Sequence, residues 1–399
     1  MNRALPASLS SDLNNCVKCG NCKALCPTHI EFANEGMSAR GRAELAERFL
    51  SDDIDPSDLL DDRIYTCLLC GYCDANCPRG ISVTGAVYEA RRRLALKWKK
   101  HRLYRAAIKY AFSNPVLAYK AIQFLEQAGL LTALGSIKPF STMRELKLKL
   151  PDDRLRKDVS VFKVPEPRGR VALFVGCTVD FLYPSMGGSF IHALNAMDFE
   201  VVLPKGEVCC GAPLLSMGLR DEAAFLARKN INAFKQLKVD AVISLCPTCA
   251  HFIRDIYPGL IGEGIMNAAD ISKFICDSSL IGAIKPVPKN SGRVFYHDPC
   301  HTVNYLGSVE EPRKVLRALG VNFEEPAEGG CCGLGGVVRL LHDDVSGAIR
   351  EKRVAAFEGA DMIVTSCPNC VLQLSGSFKE RPIKHIIELI AAGIGKERN

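Results

Sequence analysis

The chain has no apolar run near the roughly 18 residues that a membrane-spanning helix needs. It has one tryptophan, and aromatics make up only 7% of its 399 residues. No charge sign dominates: 51 Lys and Arg stand against 44 Asp and Glu, with 48% hydrophobic residues. These absences exclude a helical membrane protein, a disordered tail and a collagen-like repeat. There is no Gly-rich phosphate loop, no dinucleotide fingerprint and no Ser/His/Asp ordering, so no catalytic acid, base or nucleophile is assigned. The N-terminal MNRALPASLSSDLNN lacks the apolar core of a signal peptide, so the expected location is cytoplasmic.

What the chain has in excess is cysteine, 19 in all. In a long chain with no secretory leader, that points to metal binding rather than to disulfides. Eighteen of them fall into four groups. Cys16, Cys19, Cys22 and Cys26-Pro27 have the spacing C-x2-C-x2-C-x3-C-P. Cys67, Cys70, Cys73 and Cys77-Pro78 repeat it 51 residues later. The third group is Cys177, Cys209-Cys210-Gly211 and Cys246-x2-Cys249. The fourth, Cys300, Cys331-Cys332-Gly333 and Cys367-x2-Cys370, repeats the third at offsets of 121 to 123 residues. A repeat of that length is a duplicated domain.

The first two groups carry the two-cluster ferredoxin signature. Three close thiolates reach one cubane, and the fourth, beyond the proline, reaches the other. The expected ligands are therefore Cys16, Cys19, Cys22 and Cys77 for one [4Fe–4S] cluster. Cys67, Cys70, Cys73 and Cys26 serve the second. Four ligands within each run is the lesser alternative. Zinc is the competing metal, but its sites favour two C-x2-C pairs set well apart. The insert between Cys26 and Cys67 is too long for the small β-type ferredoxin, and its ARGRAELAERFL segment, 39–50, reads as a helix. A second helix is expected over 83–100. The expected module is all-helical, over residues 1–100.

Residues 101–168 read as a helical connector. Breaks fall at Asn114-Pro115, Lys138-Pro139 and Leu150-Pro151, and a linker runs from Asp158 to Arg170. From there strands and helices alternate. Buried strands are expected at 170–176, 200–203, 240–246, 293–299 and 361–366, with helices over 188–197, 221–237, 312–319 and 345–357. Parallel sheets follow, with cysteines just past the strand ends, where open α/β sheets bind their ligands. The fold class is thus α+β multidomain: an all-helical ferredoxin with two [4Fe–4S] clusters, then a duplicated α/β domain over 169–290 and 291–399. Gly211 and Gly333 let the backbone approach closely or take positive φ. Lone Cys276 reads as a small buried hydrophobe.

The third and fourth groups resemble the "CCG domain", which occurs twice in the active subunit of heterodisulfide reductases. It also occurs in iron–sulfur subunits of glycolate oxidase, anaerobic glycerol-3-phosphate dehydrogenase and lactate-utilisation proteins. The order of helical ferredoxin then two CCG domains resembles the glycolate oxidase iron–sulfur subunit across nearly the whole chain. The phrase Glu35 to Arg42, EGMSARGR, is similar to that subunit's E-x-x-S-P-R-G-R, with Ala39 in place of Pro. Tyr296 to His301, YHDPCH, is common to the wider family.

The resemblance implies a non-cubane [4Fe–4S] cluster in one or both repeats, with zinc an option in one. Its ligands would be Cys177, Cys209, Cys210, Cys246 and Cys249, then Cys300, Cys331, Cys332, Cys367 and Cys370. It also implies a partner FAD-containing hydroxy-acid dehydrogenase subunit, no flavin on this chain, and a quinone or other acceptor. The alternative is disulfide reduction at the CCG-bound clusters. A zinc-stabilised nucleic-acid or interaction protein is the remaining class, and no nucleic acid is expected.

Residues 1–66 hold seven Lys and Arg against eleven Asp and Glu. From Ala90 to Leu125 there are ten Lys and Arg and no acid. That stretch, with Arg91, Arg92, Lys99, Arg102 and Trp98, reads as a docking face for an acidic partner or for the inner face of an anionic membrane, against the blander solvated helix. Arg40 and Arg42 read as a docking or cluster-tuning pair against helix capping. His251, His297 and His301 sit beside cysteines as packing or tuning groups.

Anaerobically isolated protein should carry about 8 iron atoms if only two cubanes are filled, and about twice that if both later groups hold clusters. Iron, sulfide and zinc analysis distinguishes the two. Stoichiometric zinc beside about 8 irons contradicts iron in both repeats.

Overall fold

A computed structural model of the protein describes residues 13, 15–130, 142, 145, 150–156, 160–288, 292–378 and 381–394. Between Asn21 and Gln127 every regular element is helical. Helix α1, Ala39–Leu50, starts where the Ser38 hydroxyl accepts the Gly41 N–H at 2.9 Å. Helix α2, Val83–Lys97, starts on Ser82 in the same way, at 3.1 Å. The two helices pack through small residues, Ala43 and Ala46 on α1, Ala86 and Ala90 on α2, with Phe49 and Leu94 filling the space around them. Helices α3, Arg102–Ser113, and α4, Pro115–Gln127, break at the Asn114-Pro115 step, as the sequence predicts. The expected break at Lys138-Pro139 lies outside the described residues. No helix among the described residues is long and apolar enough to cross a membrane.

Two open sheets follow. The first has the order β1-β3-β2-β4-β5: β1 Ser160–Phe162, β2 Gly169–Phe174, β3 Phe199–Leu203, β4 Ala241–Ser244 and β5 Ala268–Asp270. The second has the order β7-β6-β8-β9: β6 Val294–His297, β7 Phe323–Glu324, β8 Met362–Thr365 and β9 Ile383–His385. All pairings are parallel except β1 with β3. Apart from β1 the two sheets share one topology; the central strands of the second are buried throughout and those of the first are buried beyond their first residues. The covering helices include α5, Arg220–Lys235, in the first repeat and α6, Asp343–Ala355, in the second. Strands β2 and β4, like β6 and β8, lie side by side where the winding direction reverses. Open α/β sheets form their crevice at that point.

Two expectations need correction. The expected linker holds β1: Ser160 to Phe162 pair with Leu203 to Val201 as an antiparallel edge. Pro165 and Pro167 follow the strand rather than interrupt it, which edge strands tolerate. The basic stretch is not a uniform free surface. Arg91 is fully buried, and Arg93 and Lys97 meet Asp52. Lys100 meets Asp58 and Asp61, Arg92 meets Glu89, and Lys109 meets Glu222. The acids absent from the local sequence come mainly from the acidic first 66 residues. Trp98 is half-buried against the core.

Arg91 joins the helical region to the first repeat. Its guanidinium donates to the carbonyls of Ile64, Tyr65 and Cys67 and, at 3.0 Å, to that of Ser216. The Tyr65 hydroxyl donates to the Met217 carbonyl at 3.1 Å. Gly218 has φ +81, and a Cβ there would sit 2.3 Å from the Arg91 carbonyl oxygen. Gly262 has φ +80 with open space around it. Gly218→Ala and Gly262→Ala should share the left-handed cost of about 1–2 kcal/mol. Only Gly218→Ala should lose substantially more, read as a larger fall in the denaturant midpoint. Equal losses would mean that this junction is loose.

Candidate metal centres

The first two cysteine runs fold into matching loops. Lys18 and Gly20 take φ 53 and 86, and Leu69 and Gly71, each 51 residues on, take φ 54 and 80. These left-handed steps turn each C-x2-C-x2-C run around a common point. Cys16, Cys19, Cys22 and Cys77 come together there. Burial pushes the Cys22 thiol up to about 11, helped by the charges of Cys16, Cys77 and Cys19. The Ile81 N–H donates to Cys77 Sγ at 3.4 Å.

Cys26 leaves its own run. It lines a second cavity with Cys67, Cys70 and Cys73, beside Thr28, Arg42 and Thr84. Four thiols with no carboxylate among the lining residues are the soft donor set that an iron–sulfur cluster takes. Arg42 is buried against them. It donates to Thr28 Oγ1 at 2.8 Å, the Met37 carbonyl at 2.6 Å, Thr66 Oγ1 at 3.0 Å and the Arg63 carbonyl at 2.7 Å, with Cys26 Sγ at 3.8 Å. Arg40, by contrast, is only half-buried and pairs at the surface with Glu35 at 2.9 Å. The expected pair therefore divides into one buried and one surface residue. Asp74, which carries no motif signal of its own, accepts from Cys73 Sγ at 3.3 Å and from the Val83 N–H at 2.8 Å, tying the loop to α2.

In each repeat the single cysteine follows the first central strand and the C-x2-C follows the second. Cys177 Sγ lies 3.9 Å from Cys209 Sγ, and Cys300 Sγ 3.9 Å from Cys331 Sγ. Gly211 and Gly333 take φ 92 and 86, and each donates its N–H to the sulfur two residues earlier at 3.5 Å. Buried Glu207 accepts the Val175 and Gly176 N–H groups at 3.1 and 2.9 Å, fixing the turn that carries Cys177. Burial raises its proton affinity, and Arg156 at 3.2 Å opposes this.

The two repeats face one cavity of about 240 Å³. Nine of their ten cysteines line it, all but Cys209, together with Leu68, Leu69, Phe252 and Asn369. No carboxylate lines it. Cys246 is held below its usual range by the Cys249 thiol and then by Cys367, a residue of the other repeat. Asn369 bridges the repeats, donating to Cys246 Sγ at 3.5 Å and accepting from Thr178 Oγ1 at 2.8 Å.

The helical region docks on the second repeat through a π-helical turn, Thr302–Leu306. Asn304 donates to the Cys70 carbonyl at 2.9 Å, and Tyr305 Oη to Thr84 Oγ1 at 3.2 Å. His301 Nε2 lies 3.0 Å from the Leu69 carbonyl. Burial first, then the charge of Cys300, raises the Cys70 thiol, so the second helical site adjoins the second repeat. His251 stacks on Tyr305 at 3.9 Å and lies 2.9 Å from Asp255. Cys276 is only half-buried and far from these groups in the chain, against the Glu311 carbonyl at 3.9 Å. Asn304, Tyr305 and Asn369 carry no motif signal. Only their nearness to cysteines in the sequence could have marked them.

Comparison with known proteins agrees with this layout. The 4Fe-4S dicluster domain family matches residues 12–81, and the Cysteine-rich domain family, CCG, matches 171–254 and 294–375. A subunit of the fumarate reductase (CoM/CoB) of Methanothermobacter marburgensis is 28% identical, over 95% of this chain and 72% of its own. The probable glycolate oxidase iron-sulfur subunit of Bacillus subtilis is 29% identical, over 96% of this chain and 94% of its own. A subunit of the dihydromethanophenazine:CoB–CoM heterodisulfide reductase of Methanosarcina barkeri is 27% identical, again over 96% and 94%.

Arg42→Lys keeps the charge but loses the planar fork that holds four oxygen acceptors. It should destabilise the protein by about 2 kcal/mol and weaken metal retention at the Cys26 site alone. Denaturant unfolding and anaerobic iron retention measure both. An unchanged midpoint would mean that the fork has no structural role.

Proposed function

Since the chain belongs to the CCG-domain family related to heterodisulfide reductases and is an iron–sulfur subunit of an oxidoreductase, we propose that it carries electrons from a partner flavoprotein oxidising a 2-hydroxy acid, glycolate or lactate, to a quinone or other acceptor. The observation that carries this reading is the unbroken chain of thiol sites: Cys77 with the first run, Cys26 with the second, and Cys70 beside Cys300. Clusters bound there supply one-electron transfer. The ligand sets we assign are Cys16, Cys19, Cys22 and Cys77, then Cys67, Cys70, Cys73 and Cys26. In the repeats they are Cys177, Cys209, Cys210, Cys246 and Cys249, then Cys300, Cys331, Cys332, Cys367 and Cys370.

The protein's own part is to hold and tune. Backbone N–H groups of Ile81, Gly211 and Gly333 donate to ligand sulfurs, which favours the more negative, reduced state. Partner docking is supported by helices α3 and α4, where Leu103, Tyr110, Leu117 and Phe124 are exposed. Lys99, Arg102 and Lys120, on and beside these helices, have no acidic partner among the described residues. A basic, partly apolar face of this kind suits an acidic protein or the cytoplasmic face of a membrane.

The shared cavity favours a second reading, disulfide reduction between the repeats. Two groups of thiols approach each other there, and Cys246 meets Cys367. The test is anaerobic mixing with FAD-linked glycolate or lactate dehydrogenase. Hydroxy-acid-dependent bleaching of the iron–sulfur absorbance is expected, with quinone restoring it. Reoxidation by a disulfide but not by quinone would favour the second reading. Cys73→Ala should remove one interacting cubane signal from the EPR spectrum and leave the other. Two unchanged cubane signals would refute Cys73 as a cluster ligand.

A further inference from the structure

Among the differences between the two repeats, two matched pairs of positions stand side by side. Phe174 ends β2 opposite Ser244, and His297 ends β6 opposite Thr365. Behind Phe174 stands Phe234, 5.6 Å between ring centroids, and behind His297 stands Phe357, at 5.8 Å. Asn230 on α5 corresponds to Arg353 on α6. All three pairs keep the same 123-residue offset. One apolar strand-end residue has thus become histidine, and one amide on the covering helix has become arginine.

The two changes work together. Arg353 Nε lies 3.2 Å from His297 Nδ1, and Arg353 Nη1 donates to the Glu328 carbonyl at 2.7 Å. A guanidinium can only donate, so Nδ1 supplies its lone pair to Arg353. Nε2 then carries the ring hydrogen. It is buried with no hydrogen-bond partner among the described residues. The His297 ring and the sulfurs of Cys332 and Cys370 bring their ligand atoms within 4.8 Å of one another. With Nδ1 engaged and Nε2 protonated, the ring is set to donate to a nearby sulfur rather than to ligate a metal. In the first repeat Phe174 has no donor, and Asn230 turns to the Cys209 carbonyl at 3.1 Å and Tyr257 Oη at 2.8 Å.

We propose that His297, fixed by Arg353, donates its Nε2–H to the Cys332 sulfur and gives the second repeat's centre a higher reduction potential than the first's. This rests on the reading that both repeats hold iron–sulfur clusters. A donor to ligand sulfur stabilises the reduced, more negative state. Electrons would therefore collect at the second repeat, the one that already adjoins Cys70. His297 is a positioning residue, acting through Cys332.

The experiment is an EPR-monitored redox titration of anaerobic full-length protein. His297→Phe should lower one CCG-centre midpoint by the equivalent of about tenfold in electron affinity, ~59 mV for one electron, and leave the other centres unmoved. His297→Gln, whose amide can donate, should restore most of it. Arg353→Leu, which frees Nδ1, should move the midpoint in the same direction as His297→Phe. Wild-type protein labelled with 15N-histidine should show only the weak nitrogen coupling of a hydrogen-bonded ring, a reading that needs no variant to fold. A strong coupling from a directly bound nitrogen, or an unmoved midpoint in His297→Phe, would overturn the proposal. Wild-type protein with iron for two cubanes alone would instead overturn the functional reading beneath it.

Discussion

The arrangement depends on one contact, the seating of the second cysteine run against the second repeat. Asn304 takes the Cys70 carbonyl, His301 lies against that of Leu69, and Tyr305 reaches Thr84. The Leu69 and Cys70 carbonyls find their partners across this contact. Borrowed donors from the repeat satisfy them, and buried carbonyls left unpaired would cost about 1–3 kcal/mol each. Tyr305 also closes on Gly71, where a Cβ would lie 2.5 Å from its ring. Cys70 is thereby carried to Cys300, which places the second helical site beside the second repeat.

Arg91 does the same for the first repeat. It lies in a run of ten basic residues, yet its charge is spent inside on four carbonyls rather than outside on solvent. Two buried tethers, one per repeat, hold the helical region across the crevice that the repeats form together. The crevice belongs to neither repeat alone. Asn369 and the meeting of Cys246 with Cys367 make it one site. Within it the duplication is not symmetric. The second repeat has both the contact with Cys70 and the His297–Arg353 couple.

Much of this was legible in the sequence, because cysteine spacing and strand–helix alternation are local signals. The helix at Ala39–Leu50 and the central strands ending near Cys177, Cys246, Cys300 and Cys367 lie where periodicity places them. Strands β1, β5, β7 and β9 were missed, because two or three residues form a strand only when a neighbour offers an edge. The burial of Arg42 and Arg91 was not legible either. An arginine's partners here are carbonyls of residues up to 125 positions away, and no local pattern announces them. Phe174 against His297 could have been found by aligning the repeats on their cysteines. Its meaning needed Arg353, which lies on the covering helix.

We propose that the thiol sites form one continuous route ending at two centres around a shared crevice. Anomalous diffraction at the iron and zinc edges, from anaerobically grown crystals, tests it most directly. Iron is predicted at four places: two in the helical region, and two flanking the crevice between Cys246 and Cys367. The helical site that includes Cys70 should be the one nearest the iron at Cys300. Iron confined to the helical region, or zinc at either side of the crevice, would contradict it.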